Sequence, residues 1–222
     1  MARIARVVIP GNPHHVVQRG VRAMDVFYSD ADRKLYLKLL SERAKHYGLK
    51  FWAWCLMSNH VHLVVVPDAE TSMARAIGEA HRRYAWQVNM RQDVRGHLFQ
   101  ARFFSYPIQT DKNLLAVIRY VELNPVTAGI VSRADHYRWS SAVHHVTGKP
   151  DRLVTSGPVR EMVPNWRRFL SAEVDNARKS KEIERHLKTG RPFGESSWVA
   201  ELEEVTGRNL TPRKRGRKPM SP

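Results

Sequence analysis

The chain has 222 residues, of which 42% are hydrophobic and 9% aromatic. This is enough for one domain of ordinary size with a packed core, and it argues against wholesale disorder. Lysine and arginine number 37 against 21 aspartates and glutamates, which gives a formal net charge of +16. Such a surface attracts polyanions, most commonly nucleic acid, although charge alone does not distinguish DNA from RNA.

Three features of the chain bear on its location. It contains no run of about 18 apolar residues, so no membrane helix is expected. The apolar stretch near the N-terminus is too short for a signal peptide. The single cysteine, Cys55, lies between Trp54 and Leu56, which predicts a buried thiol. We therefore expect a cytoplasmic protein with no membrane partner.

Apolar spacing and turn residues predict an alternation of strands and helices in the first 125 residues. The strands are placed at 15–19, 49–57, 61–66 and 98–108. The helices are placed from Asp30 to Gly48, from Thr71 or Ser72 to about Asn89, and from Thr110 or Asp111 to Pro125, which bends or stops the last one.

This order predicts an α+β domain, and a ferredoxin-like antiparallel sheet with helices on one face fits it best. The other face of the sheet would then be free for a ligand. Residues 1–147 form this domain, and residues 148–207 are predicted to be a small helical extension. Residues 208–222 are rich in basic residues and contain no acidic one, so this tail is expected to be disordered.

The segment SNHVHLVV places two histidines on the predicted return strand of the hairpin. His60 and His62 are two residues apart, so they project from the same face of that strand. Two neutral imidazoles so placed can hold one metal ion. A bare His-x-His pair is nevertheless more often structural than functional.

Tyr120 lies on the predicted helix LLAVIRYVELN, at the edge of an apolar stripe expected to pack on the sheet. The stripe consists of Leu114, Val117, Ile118 and Val121. Asn124 falls on nearly the same face as Tyr120, four residues further on. A tyrosine in this position is ordinarily a core-rim residue, and Asn124 before Pro125 is equally compatible with a helix cap.

The two patterns fit one mechanism. A tyrosine hydroxyl, with a pKa of about 10, is a poor nucleophile at neutral pH and needs a reactive electrophile. A divalent ion held by two histidines and an amide oxygen would make a phosphodiester more reactive towards Tyr120. The product would be a covalent phosphotyrosine that a free 3′ hydroxyl can reverse.

Five segments together resemble the REP-associated tyrosine transposases, which belong to the wider His-hydrophobic-His group of single-tyrosine transposases. The segments are HHVVQRG, MSNHVHLVV, LFQARF, RYVELNPVTAGIV and WSSA, and they span about residues 10–145. The resemblance implies that Tyr120 is the nucleophile and that His60, His62 and Asn124 are ligands of Mg²⁺ or Mn²⁺. It also implies single-stranded DNA folded into palindromic, REP-like hairpins as substrate, and a 5′-phosphotyrosine intermediate.

The basic residues expected to contact DNA are Arg19, Arg82, Arg83, Arg102 and Arg119 in the catalytic domain, and Arg215 and Arg217 in the tail. Phe99 and Phe103, which lie among them in the sequence, are expected in the core. The tail resembles an AT-hook, which enters the minor groove, although a general electrostatic tether explains it equally well.

Three other functions compete with this interpretation. A non-catalytic hairpin-binding protein or repressor would keep the basic surface without needing Tyr120. A rolling-circle initiator or a relaxase-type nuclease would use the same chemistry in another pathway. A zinc hydrolase has little support, because no third ligand occurs at a familiar spacing. The oligomeric state is not fixed by the sequence, and a monomer is favoured.

Overall fold

The computed structural model describes residues 5–109, 112–155, 157–172 and 176–212. The strands are β1 (His14–Arg19), β2 (Leu49–Leu56), β3 (His60–Pro67) and β4 (Phe104–Pro107). The helices are α1 (Asp30–Tyr47), α2 (Ser72–Gln92), α3 (Lys112–Thr127), α4 (Ala142–Thr147), α5 (Trp166–Ser171), α6 (Asn176–Thr189) and α7 (Ser196–Thr206). Short 3-10 turns occur at Val21–Ala23, Ala134–His136 and Pro158–Arg160.

The four strands form one antiparallel sheet in the order β2-β3-β1-β4. With the chain order β1-α1-β2-β3-α2-β4, this is the predicted ferredoxin-like α+β arrangement. The last strand is shorter than expected and begins only at Phe104. Most of the segment before it is irregular, and there Phe99 makes one isolated bridge to Gly20. Phe99 and Phe103 are buried, as predicted.

Capping residues set the limits of α1 much as the sequence suggests. The hydroxyl of Ser29 accepts a hydrogen bond from the main-chain N–H of Asp32, one residue before the helix was expected to be capped. Gly48 ends the helix in the left-handed conformation, with φ of 62°. The helix packs on α2 and buries Tyr36, Leu37 and Leu40. Cys55, on β2, is also buried, as expected.

The third helix differs from the prediction at Pro125. The helix continues through Thr127, and the N–H of Ala128 donates a hydrogen bond of 2.9 Å to the Asn124 oxygen. Pro125 has no N–H to donate and its ring crowds the preceding turn, yet it is buried and the helix continues past it. The predicted apolar stripe is buried along its whole length, at Leu114, Val117, Ile118 and Val121. Thr110 and Asp111, the expected caps, lie outside the described residues.

The helices occupy both sides of the sheet. Trp54 and Leu63 pair on one face, and Trp54 lines a surface pocket with Leu37 of α1. The opposite face carries His62, whose ring lies 5.6 Å from the Tyr120 ring of α3. The face expected to stay free is thus partly covered by α3, because the apolar stripe of this helix needs burial.

The C-terminal extension packs on the sheet edge and on the N-terminal segment. Phe193 bridges Ile108 beside β4, and its N–H donates to the Pro107 oxygen at 2.9 Å. Leu202 of α7 and Leu210 form a small core with Val7. Within the segment expected to be a disordered tail, Leu210 is buried and Arg208 donates to the Arg6 main-chain oxygen at 2.8 Å, whereas Arg215 and Arg217 lie outside the described residues. Among the described helices, none is both long and apolar enough to cross a bilayer.

Candidate active site

The two histidines of β3 lie side by side on one face of the sheet, as predicted. His60 is paired with Arg19 across the strands and His62 with Val17. Their ring centroids are 4.9 Å apart with the planes nearly perpendicular. His62 is 1% exposed and His60 is partly exposed, so His62 lies in the protein interior and His60 lies nearer the surface.

Tyr120 and Asn124 meet these histidines from α3. The Tyr120 ring centroid is 5.6 Å from that of His62, and the tyrosine side chain is partly exposed. The Asn124 side chain lies beside His60, and its Nδ2 donates to the Tyr120 main-chain oxygen at 2.8 Å. His60 Nδ1 is bonded to Asn59 Oδ1 at 2.6 Å. The structure therefore brings together the four residues that the sequence predicted as nucleophile and metal ligands.

Burial keeps both imidazoles neutral. Desolvation, with a smaller contribution from the nearby Arg19 guanidinium, lowers the pKa of His60 to about 4. Desolvation also lowers the pKa of His62 well below its ordinary value, and the neighbouring His15, His60 and Arg19 add to the effect. A neutral imidazole offers a nitrogen lone pair at neutral pH, which is the form that binds metal ions.

Burial also shifts the pKa of Tyr120, but upwards, because it disfavours the charged phenolate. Desolvation raises the pKa of its hydroxyl, Glu184 on α6 raises it further, and Arg19 opposes the change. At neutral pH the hydroxyl is therefore protonated, and its reactivity depends on activation of the phosphate that it attacks.

The donor set fits a divalent ion. His62 Nε2 is buried and has no hydrogen-bond partner in the described part of the chain, so in the tautomer that carries the proton on Nδ1 its lone pair is free for an ion. The His60 ring lies next to the His62 ring, and the Asn124 side chain lies beside His60. The described residues contain no group of three histidine, cysteine or carboxylate side chains suited to a metal, so a third donor from these residues would be of another type. An amide oxygen is such a donor and suits Mg²⁺ or Mn²⁺.

The structure adds a residue that the sequence analysis missed. His15 of β1 is fully buried, and its Nε2 lies 3.0 Å from His62 Nδ1. The clue in the sequence was the alternation in HHVVQR, because His15, Val17 and Arg19 share the strand face that pairs with His62 and His60. Predicting the contact required the register between β1 and β3, which a single sequence does not provide.

The arginines expected to bind DNA are dispersed. Arg19 is exposed and pairs with His60 across the strands. Arg102 is also exposed and lies two residues after Gln100, whose N–H donates to the Arg19 main-chain oxygen at 2.8 Å. Arg82 and Arg83 are exposed on α2, and Arg83 forms an ion pair of 2.7 Å with Glu79. Among the predicted arginines that the structure describes, Arg19 is the one that acts electrostatically on both histidines.

The expectation for Arg119 is corrected by the structure. Its side chain is 7% exposed, its guanidinium donates to the main-chain oxygens of Leu170 and Ala172, and it lies over the Phe169 ring. Arg119 therefore lies on the side of α3 that faces α5, and its hydrogen bonds join α3 to the C-terminal extension. The Arg119 side chain is thus directed towards the C-terminal extension and away from solvent.

Comparison with known proteins agrees with this geometry. A family model described as "Transposase IS200 like" matches residues 12–124, just over half of the chain. A curated Haemophilus influenzae protein described as a "Putative REP-associated tyrosine transposase" is 24% identical over 110 residues, covering 45% of this chain and 62% of that relative. The match thus spans less than two thirds of the relative's length.

A solved structure of a REP-associated tyrosine transposase bound to a REP hairpin shares the fold. It superposes with a TM-score of 0.58 at 16% identity, covering 71% of this chain and 93% of that one. The matched family segment includes β1, the His60–His62 strand and the α3 residues Tyr120 and Asn124. The chain belongs to the IS200-like transposase family.

Proposed function

We propose that the protein is a metal-dependent single-strand DNA endonuclease and strand transferase that acts on palindromic hairpins through a covalent 5′-phosphotyrosine at Tyr120. The observation that carries the proposal is the convergence of Tyr120 with the histidine pair, at 5.6 Å between the Tyr120 and His62 rings. Membership of a transposase family supports the same chemistry.

The substrate class rests on charge and on the structural relative. A net charge of +16 favours a polyanion, and the relative of similar fold was solved with a REP hairpin. The exposed Arg19, which pairs with His60 across the strands, and the exposed Arg102 are the proposed contacts to the DNA backbone. We expect one protein chain to bind one hairpin, as a monomer.

Mg²⁺ or Mn²⁺ is the proposed cofactor, held by His60, His62 and the Asn124 amide oxygen. The buried and unpartnered Nε2 of His62 is the feature that supports this assignment. When bound, such an ion supplies Lewis-acid activation and alignment of the scissile phosphate. The low pKa values of both imidazoles keep the ligands available through the neutral range.

The residues of the chain account for the covalent step. The phenolic oxygen of Tyr120 forms a bond to phosphorus, and the bond from phosphorus to the 3′ oxygen breaks. The phenolic proton is lost to solvent, and the departing 3′ oxygen acquires a proton to become a hydroxyl. The 5′ phosphate stays on Tyr120, so attack by a 3′ hydroxyl restores a phosphodiester and joins strands.

Replacing Tyr120 by phenylalanine tests the proposal. The variant keeps the ring at the edge of the core, so folding and hairpin binding should match the wild type, while cleavage of the hairpin should be lost. Tyr28→Phe is the matched control, because Tyr28 is 51% exposed and lies before α1. Continued cleavage by Tyr120→Phe would refute the tyrosine mechanism, and tight binding without cleavage by the wild type would favour a hairpin-binding repressor.

A further inference from the structure

Behind the histidine pair lies a buried chain of three polar side chains on neighbouring strands. His62 Nδ1 is 3.0 Å from His15 Nε2, and His15 Nδ1 is 3.0 Å from the Tyr106 hydroxyl. The His15 and His62 rings also stack, with centroids 5.2 Å apart and planes inclined by 21°. All three side chains are at most 1% exposed, so water does not substitute for these contacts.

The hydrogen bonds have a preferred direction if His62 is to act as a ligand. A lone pair on His62 Nε2 requires the ring proton on Nδ1, which then donates to His15 Nε2. His15 in turn carries its proton on Nδ1 and donates it to the Tyr106 oxygen. The reverse order would place a proton on His62 Nε2, where the described part of the chain offers no acceptor.

The two hydrogen bonds also fix the position of the His15 ring. Its two ring nitrogens are both engaged, by His62 on one side and Tyr106 on the other, so His15 is not itself free to bind an ion. Its role is to hold a neighbouring ring, and histidine ligands of metals generally have such a partner on their second nitrogen.

We propose that His15 is a positioning residue that fixes the tautomer and ring orientation of His62 for metal binding. The inference rests on the proposed function, since it assumes that His62 is a ligand. Partners of this kind commonly contribute about 10- to 100-fold to metal affinity.

The far end of the polar chain is anchored by the C-terminal extension. The rings of His186 on α6 and of Phe193 lie 5.7 Å and 6.4 Å from the Tyr106 ring. Phe193 is hydrogen-bonded through its main chain to the end of β4, beside Tyr106. The extension thereby packs against the last member of the chain and keeps it buried, which gives this part of the protein a structural role in the site.

The test measures Mn²⁺ binding by electron paramagnetic resonance in the absence of DNA, so it does not depend on activity. His15→Leu removes both hydrogen bonds at similar size, and we expect the dissociation constant for Mn²⁺ to rise by about 10-fold or more. His15→Gln places an amide oxygen near the position of Nε2, where it accepts from His62, and should bind Mn²⁺ nearly as well as the wild type. His81→Gln is the matched control, because His81 is a buried histidine bonded to the Tyr36 hydroxyl at 2.8 Å, remote from the ligands.

The outcomes separate this inference from the proposed function. If His62→Ala binds Mn²⁺ as the wild type does, the metal assignment itself fails. If His62→Ala loses Mn²⁺ binding while His15→Leu keeps it, the positioning role is overturned. The role is also overturned if the folded His15→Gln variant loses as much affinity for Mn²⁺ as His15→Leu does. Should His15→Leu not fold, His15→Asn replaces it, because the shorter amide reaches Tyr106 but not His62, and unchanged binding by that variant overturns the proposal.

Discussion

The side-chain amide of Asn124 donates a hydrogen bond of 2.8 Å to the main-chain oxygen of Tyr120, one turn earlier in α3. The amide nitrogen is thereby turned towards the helix, which leaves the amide oxygen as the group able to face His60 and a metal ion. The arrangement joins the proposed nucleophile and the proposed third ligand in one turn of helix.

Asn124→Ala should reduce cleavage less than His62→Ala does. A water molecule can replace one amide oxygen in the coordination of a hard cation, whereas nothing replaces a buried imidazole nitrogen. Measuring the cleavage rate of a hairpin against Mn²⁺ concentration checks this, since the Asn124→Ala loss should be largely recovered at high Mn²⁺. An Asn124→Ala variant that is as inactive as His62→Ala at every Mn²⁺ concentration would contradict the ligand assignment.

The raised pKa of Tyr120 predicts how cleavage depends on pH. Because the folded protein holds the phenol proton more tightly than a free tyrosine, the rate should keep rising through pH 8 to 10, the range approaching the ordinary tyrosine pKa of about 10. Glu184→Gln removes a carboxylate that raises this pKa, so the rising limb should move to lower pH, more clearly at low salt. Glu201→Gln, an exposed α7 residue, makes the same charge change away from the site and should leave the profile in place.

A buried polar cluster joins the C-terminal half of α3 to the start of α4. Glu122 Oε1 accepts hydrogen bonds of 2.6 Å from the Ser141 hydroxyl and from His145 Nδ1, and all three side chains are buried. Glu122→Ala leaves His145 Nδ1 without its partner in the interior, whereas Ser141 keeps its hydrogen bonds with the Trp54 main chain, so the free energy of unfolding should fall by about 1–3 kcal/mol. Urea unfolding followed by circular dichroism measures this, with the exposed Glu204→Ala as control. A loss below that of the control would show that the cluster does not stabilise the fold.

Much of this architecture was predictable because it follows from local patterns. The strand periodicity placed His60 and His62 on one face, and the helical stripe placed Tyr120 at its edge. The contact between His15 and His62 was not predictable, since it depends on strand register. Arg119 was misassigned because nothing local distinguishes an arginine that faces solvent from one that bonds main-chain oxygens of a later helix. The continuation of α3 past Pro125 likewise reflects tertiary packing, which outweighs the local effect of proline.

The basic tail should act on affinity and leave the cutting position unchanged. Removing residues 213–222 is the informative truncation, because Leu210 is buried and Arg208 donates to the Arg6 oxygen at 2.8 Å. Hairpin binding should weaken and its dependence on salt should become less steep, since fewer phosphates are neutralised. Fluorescence anisotropy over a range of salt concentrations measures both quantities. A truncated protein that cuts at a different position would show that the tail selects the target.

The central claim is tested most directly by mapping the covalent adduct. Wild-type protein incubated with hairpin DNA and Mn²⁺ should form a species that survives denaturing electrophoresis, and peptide mass spectrometry should place the modification on Tyr120. The adduct should carry the 5′ phosphate, and the other DNA fragment should end in a free 3′ hydroxyl. An adduct on another tyrosine, such as the buried Tyr84 or Tyr106, or cleavage that leaves no adduct at all, would contradict the account.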